Sequence, residues 1–152
     1  MEGEKLDAML KDEYFYVQKV IEDFDSRAIA IKAWSVSFSF AAIGGAFASH
    51  AGAVLLVASV SALLFWLLEA LWKSFQAGYY RRVKAIERHF AGEAPLTSPL
   101  QIADTWFRHW QGRGSREWTR MLLWPHVALP HVVVAIIGAT LFVLSVTGTI
   151  RP

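Results

Sequence analysis

No Asp, Glu, Lys or Arg occurs between Lys32 and Glu69, and this run of 36 residues, Ala33 to Leu68, constrains the chain more than any other feature. One bilayer crossing takes about 20 residues, so the run is too long for a single span. Near its middle lies Ser49-His50-Ala51-Gly52, a polar and turn-prone spot. The pattern predicts a hairpin of two membrane helices with a very short outer turn. Lys32 and Glu69 are equally far from a midpoint between His50 and Ala51. At the helical rise both fall about 28 Å from the tip, close to the hydrocarbon thickness. Trp34 and Trp66 lie at similar depth, where an aromatic belt belongs.

The 152 residues make one domain by length, and 55% apolar content suits a small multi-pass protein better than a soluble globule. The mean hydropathy of +0.34 agrees. With no Cys, disulfides, thiolate metal sites and cysteine nucleophiles are excluded. Glu2, Glu4 and Asp7 make the start acidic, so the first apolar run is expected to stay as an anchor rather than act as a cleaved leader.

Residues 1–32 read as a cytoplasmic amphipathic helix leading into the first span. Leu6, Met9, Leu10, Tyr14, Val17, Val20, Ile21 and Phe24 form its apolar stripe, while Lys11, Asp12, Glu13, Lys19, Glu22 and Asp23 occupy the other faces. Its acidic charges favour packing on a partner helix over binding to anionic lipid. Residues 33–72 are the transmembrane hairpin. Ser35, Ser39, Ala42, Ala46 and Ser49 share one face of the first span, a spacing that lets helices approach closely. From Ala53 to Phe90 there is no Pro and one Gly, Gly78, so the second span continues as a stalk helix. Tyr79, Val83 and Ile86 keep an apolar stripe on it, able to pair with the N-terminal helix.

Residues 73–120 comprise this basic stalk, a linker at 91–98 and an interfacial helix. Ser98-Pro99-Leu100-Gln101 has the form of a capping box with Pro at the first helical position. Leu100, Ala103, Trp106, Phe107 and Trp110 would then lie on one side. Residues 121–152 hold the third span and an outer tail. Pro125 and Pro130 crowd its start, so regular helix is expected from near Pro130 to about Val146, with Gly138, Ala135 and Ala139 as a close-packing surface.

The fold class expected is therefore an all-α integral membrane protein with three transmembrane helices, long cytoplasmic helical extensions and one interfacial amphipathic helix. Three spans put the termini on opposite sides. Residues 1–32 carry 5 basic residues, 69–120 carry 9, the hairpin tip none and the tail only Arg151. The positive-inside rule places the N-terminus in the cytoplasm and the C-terminus in the periplasm.

Two groups of residues are candidates for function. Lys32 and Glu69, ionisable and at equal depth, form an ion pair at the inner edge. It is either structural, with Glu69 also reaching Lys73, or part of an ion path with Ser35, Ser37 and Ser39. The basic belt of Arg81, Arg82, Lys84, Arg88, Arg108, Arg113, Arg116 and Arg120 is interleaved with Tyr79, Tyr80, Trp106, Trp110 and Trp118. Such a surface serves a nucleotide or single-stranded oligonucleotide, by phosphate neutralisation beside base stacking. Ordinary positive-inside topology with interfacial aromatics explains all of it without a ligand. His126 and His131 are five apart, which a helix places about 140° apart, so they make no metal pair. Gly112-x-Gly114 lacks the Lys-Ser/Thr of a phosphate loop. No catalytic constellation, metal site or cofactor is expected, and the chain reads as a non-enzyme.

The segment Phe65-Trp-Leu-Leu-Glu-Ala-Leu-Trp-Lys-Ser-Phe-Gln-Ala-Gly-Tyr-Tyr-Arg-Arg-Val-Lys-Ala-Ile-Glu-Arg88, with Asp25-Ser-Arg-Ala-Ile-Ala-Ile-Lys-Ala-Trp34 before it, resembles two-span effector modules of bacterial anti-phage systems. The resemblance covers roughly residues 20–90. With its third span, the layout is more similar to the membrane component of Hailong-type defence. That resemblance implies an oligomeric effector held silent by a DNA oligomer from a nucleotidyltransferase partner. The expected function is a gated pore in the bacterial inner membrane, built as a homo-oligomer because one copy has too few helices to enclose a path. The alternative is a non-conducting accessory or scaffold subunit of a larger membrane complex.

Overall fold

The computed structural model describes residues 2–112 and 115–152, and among them every regular element is an α-helix. The helices are α1 (Glu2–Ser49), α2 (Ala53–Phe90), α3 (Ile102–Gly112), α4 (Ser115–Leu122) and α5 (Pro125–Val146). Contacts divide them into two units: residues 1–27 with 72–117, and residues 28–71 with 118–152. Three helices, α1, α2 and α5, are long and apolar enough to cross a membrane. Only 17%, 33% and 28% of the residues in their most apolar windows are buried, so most of that apolar surface faces outward.

In the unit formed by 1–27 and 72–117, the apolar stripe of α1 packs on α2. Val17, Ile21 and Val83 form the core, covered by Tyr14, Tyr79 and Ile102. Helix α3 seats Trp106 on Gly78, where a Cβ would lie 2.4 Å from the indole. The Trp106 Nε1–H donates to the Phe75 carbonyl at 3.0 Å, and Trp106 stacks on Trp110 with ring centroids 5.4 Å apart. Thus Trp106 and Trp110, read as interfacial anchors, pack on α2, while Phe107 stays exposed.

The capping box does not form. The first helical bond of α3 runs from the Thr105 N–H to the Gln101 carbonyl at 3.1 Å, so the helix starts three residues later than the box requires. Leu100 sits in the left-handed region at φ 58°, because its N–H is drawn to the buried Glu13 carboxylate at 2.8 Å. Gln101 turns its amide to the Pro99 carbonyl instead of Ser98.

In the unit formed by 28–71 and 118–152, His50 closes α1 in the left-handed region at φ 54°, and the Ala51 N–H reaches the Ala46 carbonyl at 3.0 Å. This six-to-one bond is a helix C-terminal stop, and α2 begins two residues later. Helix α5 differs from the expectation at its start. It begins at Pro125, not near Pro130, and Pro130 lies inside it. Pro125 is at N1, where the missing N–H has no helical partner to lose, and Trp124 before it is extended as a residue preceding Pro should be. Pro130 deletes one bond near the helix start without ending the helix.

Small residues bring the three helices of this unit together. A Cβ on Gly138 would lie 2.6 Å from Ser59 Oγ, 3.1 Å from its backbone nitrogen and 3.2 Å from the Leu55 carbonyl oxygen. Ala62, Val134 and Ala135 form the adjoining core, with Val36 against it. Ser59 donates to the Ala135 carbonyl at 2.9 Å and Ser39 to the Ala58 carbonyl at 3.2 Å.

Gly138→Ala is therefore expected to destabilise the protein by about 1–3 kcal/mol through overpacking against backbone. Gly44, with open space around its Cβ position, should accept Ala with no loss. Thermal unfolding of both variants in detergent, followed by circular dichroism, checks the contrast.

Candidate functional site

Three helices place one connected set of polar side chains inside the unit of residues 28–71 and 118–152. Glu69 of α2 has no exposed surface. Its Oε1 accepts from Lys32 Nζ of α1, and its Oε2 lies 2.9 Å from His131 Nε2 of α5. The other ring nitrogen, His131 Nδ1, lies 2.8 Å from Ser35 Oγ, one turn along α1 from Lys32. His131 and Ser35 are fully buried, and Lys32 keeps 25% of its side chain exposed. The order is Lys32–Glu69–His131–Ser35.

The sequence brings these groups to one place by simple arithmetic. Lys32 and Glu69 end the charge-free run at equal distance from the turn, so an antiparallel hairpin sets them side by side. Ser35 follows Lys32 at i+3, which turns it toward α5 on the same side of α1. His131 enters from the start of α5. Sequence reasoning missed it because the histidines were tested only as a metal pair with His126. The available signal was a lone imidazole opening an otherwise uncharged helix, the kind of residue that needs a partner at that depth. The structure leaves His126 exposed against Trp124. Among the described residues no cluster of three His, Cys, Asp or Glu could hold a metal.

The candidates separate when placed. Ser35 joins the network, Ser39 is satisfied by a backbone carbonyl, and Ser37 is exposed on the opposite side of α1. The three serines therefore do not line one path within a single chain, since Ser37 is half a turn away from the other two. Lys73, expected to share Glu69, pairs with Asp25 and Gln76 instead.

The chemistry open to the network follows from its donors and acceptors. Burying a carboxylate between apolar helices costs several kcal/mol unless charge and hydrogen bonds compensate it; here an ammonium and an imidazole do so. An ionised carboxylate can only accept, so His131 Nε2 carries a proton toward Glu69. Ser, His and Glu in contact invite comparison with a nucleophilic triad. Ser35, however, is completely buried, so no substrate carbonyl reaches its oxygen in this conformation. The arrangement suits holding and exchanging protons.

The basic belt also divides. Arg82 is 3% exposed, and its guanidinium makes two 2.8 Å bonds to Glu13, with a third at 3.2 Å to the Ser98 carbonyl. It is already neutralised and unavailable to an external anion. Glu13, assigned to the polar face of its helix, is buried with it. Burial alone would push the Glu13 carboxyl up, but the Arg82 guanidinium and the Leu100 and Gln101 amides outweigh it and hold the carboxyl below its ordinary value. Arg108 pairs with Asp104 on the surface of α3. Arg81, Lys84 and Arg88 are exposed and share one face of α2 at i, i+3, i+7. Arg113 lies outside the described residues, as does the side chain of Arg116. Tyr79, Trp106 and Trp110, expected as stacking platforms, pack against other residues of the same unit.

Comparison with protein-family models, with curated proteins and with solved structures finds no match for the chain.

Two outcomes test these placements. Glu69→Leu leaves Lys32 and His131 buried without their acceptor and should cost about 3–5 kcal/mol, whereas Lys32→Met/Glu69→Leu/His131→Leu together should recover most of that loss. Thermal unfolding in detergent compares the two. Glu13, lowered in the fold, stabilises fully above its ordinary value of 4.5, and that contribution fades as pH falls from there through the lowered value. Fluorescence of docked Trp106 and Trp110 should therefore collapse with acid in this window, and Glu13→Gln should be destabilised at pH 7 yet insensitive to pH within it.

Proposed function

We propose that the protein is a multi-pass protein of a bacterial inner membrane and a homo-oligomeric effector that opens a gated pore and depolarises the membrane. The observation that carries this reading is the buried Lys32–Glu69–His131–Ser35 network. A chain that served only as an anchor would be at least as stable with aliphatic side chains there, because buried ion pairs gain little over apolar packing. Ionisable groups kept between spanning helices belong to proteins that move charge or respond to it.

The orientation proposed is N-terminus cytoplasmic and C-terminus periplasmic, supported by the 14 of 15 basic residues that precede the third apolar run. Homo-oligomerisation is supported by a second face of α1. Ala33, Ser37, Ala41 and Gly45 follow one another at four-residue steps and are all exposed, and nothing lies within 4 Å of a Cβ placed on Gly45. Small residues so spaced admit the close approach that drives helix association in lipid. On this reading Ser37 belongs to an interface between copies, where a path has to lie.

Control by a cytoplasmic nucleotide or oligonucleotide, supplied by a nucleotidyltransferase partner, is the part of the proposal that rests on the resemblance. Among the described residues, the exposed Arg81, Lys84 and Arg88 form a short cationic row on α2 that suits phosphates, and Arg120 is exposed as well.

Membrane potential in bacteria expressing this chain, read by dye fluorescence over a range of cytoplasmic pH set with a permeant weak acid, tests the proposal. Rapid depolarisation by the wild type, lost in Lys32→Ala/Glu69→Gln at equal membrane abundance, is the expected result. No depolarisation at good expression, with stable assembly found only alongside another protein, would move the reading to an accessory subunit. Gly45→Leu should leave the melting temperature unchanged while shifting the detergent-solubilised oligomer toward monomer in light scattering.

A further inference from the structure

We infer that the Lys32–Glu69–His131–Ser35 network is a proton-binding site and that the proton it takes up, held on His131, is what releases α5 from α1 and opens the pore. The inference rests on the proposed pore for its consequence, but the proton site stands on the geometry alone.

The neutral network is complete. Glu69 accepts from Lys32 at one oxygen and from the His131 Nε2–H at the other. Nδ1 is then bare and accepts the Ser35 hydroxyl proton across 2.8 Å. Ammonium and carboxylate balance, so the buried charge is zero.

One added proton changes two things at once. Nδ1 becomes a donor, so the Ser35 hydroxyl has to turn and give its own proton elsewhere. The carbonyl of Ile31, one turn back in α1, is in reach of a helical serine. The bond between α1 and α5 is thereby reversed. The network also now holds two cations against one carboxylate, a net positive charge in a site where His131, Glu69 and Ser35 have no exposed surface. Such a charge is costly without water, so the protonated state favours separation of α5 and hydration of the site. Imidazole is the side chain that ordinarily exchanges a proton between pH 5 and 8.

The charged and titratable groups facing His131 can be named from each helix packed on it. Helix α1 supplies Lys32 through Glu69, together with the Ser35 hydroxyl, and α2 supplies Glu69. On α5 itself the other histidine, His126, is exposed. Lys32, a quarter exposed, is the least buried member of the network.

The test uses the full chain in lipid nanodiscs and liposomes. Nitrogen NMR of histidine-labelled protein from pH 8 to 5 should show the His131 imidazole, identified among the five by the signal that His131→Gln removes, passing from the Nε2–H tautomer to imidazolium. Dye-reported ion flux in liposomes should rise with acid by about tenfold per pH unit at most, the limit for one linked proton. Gln in place of His131 offers an N–H to Glu69 and an oxygen to Ser35, mimicking the neutral ring, so its flux should stay low at every pH. Ser35→Ala should keep the NMR titration but blunt the pH dependence of flux. A His131 that remains one neutral tautomer down to pH 5, or flux whose pH dependence survives His131→Gln, overturns the inference and leaves the pore intact. A titrating His131 with no flux at any pH sustains the proton site and sinks the pore.

Discussion

The carboxylate of Glu69 is the point on which the 28–71 and 118–152 unit depends. It is the acceptor for one helix on either side, through Lys32 of α1 and His131 of α5, and so joins all three helices of the unit. Its position is possible only because the backbones are close. Gly138 lets α5 lie against Ser59 and Leu55 of α2, and the buried Ser39 and Ala46 let α1 lie against the same helix. Small residues thus act twice. They supply the packing contacts that hold apolar helices together, and they set the distance at which a short Glu side chain reaches both partners. Register follows from the same arrangement, because sliding any helix by one turn would strand a charge.

The unit of residues 1–27 and 72–117 repeats the device with different chemistry. Glu13 is a buried carboxylate that accepts from the Arg82 guanidinium and from the Leu100 amide, so one side chain of α1 fixes α2 and the strap before α3. Leu100 is held in a conformation costly for a branched L-residue, and the strain persists because the carboxylate would otherwise lack a donor. Charge that looked available in the sequence is therefore structural. Among the described residues of this unit, Arg81, Lys84 and Arg88 stay exposed on one face of α2.

Much of this architecture was legible because the strongest patterns are one-dimensional. A charge-free run of bounded length, one turn-prone spot and a Pro-free continuation give the hairpin and α2 without further information. The pairing of Lys32 with Glu69 is equally one-dimensional, since symmetry about the turn decides it. Legibility ends where a third element joins. His131 finds its partners only once α5 is docked, and no spacing within a single helix reports that. Glu13 and Arg82 are 69 residues apart and each looks like a surface charge on an amphipathic helix. Their burial becomes visible only when the strap before α3 meets them. The prolines misled for a different reason. Pro130 reads as a breaker, yet near the start of a helix a missing N–H costs one bond, and Pro125 can begin the helix at the position where Pro costs nothing.

The placement of polar groups bears on what three helices apolar enough to cross a membrane can do together. Aliphatic residues at 32, 35, 69 and 131 would pack three helices without any desolvation cost, and the small-residue seams would still align them. The network therefore adds little to stability that packing could not supply, while it makes the unit sensitive to the loss or gain of a single charge. A fold built this way is balanced when each partner is present and loses that balance when one is removed. Such sensitivity is a liability in a passive anchor and an asset in a gate. On the proposed reading copies meet through the exposed Ala33, Ser37, Ala41 and Gly45, which would couple a charge event inside one chain to its contact with the next. Ser35 lies on the buried side of α1 and Ser37 on its exposed side, so a turn of that helix about its axis would move both faces together.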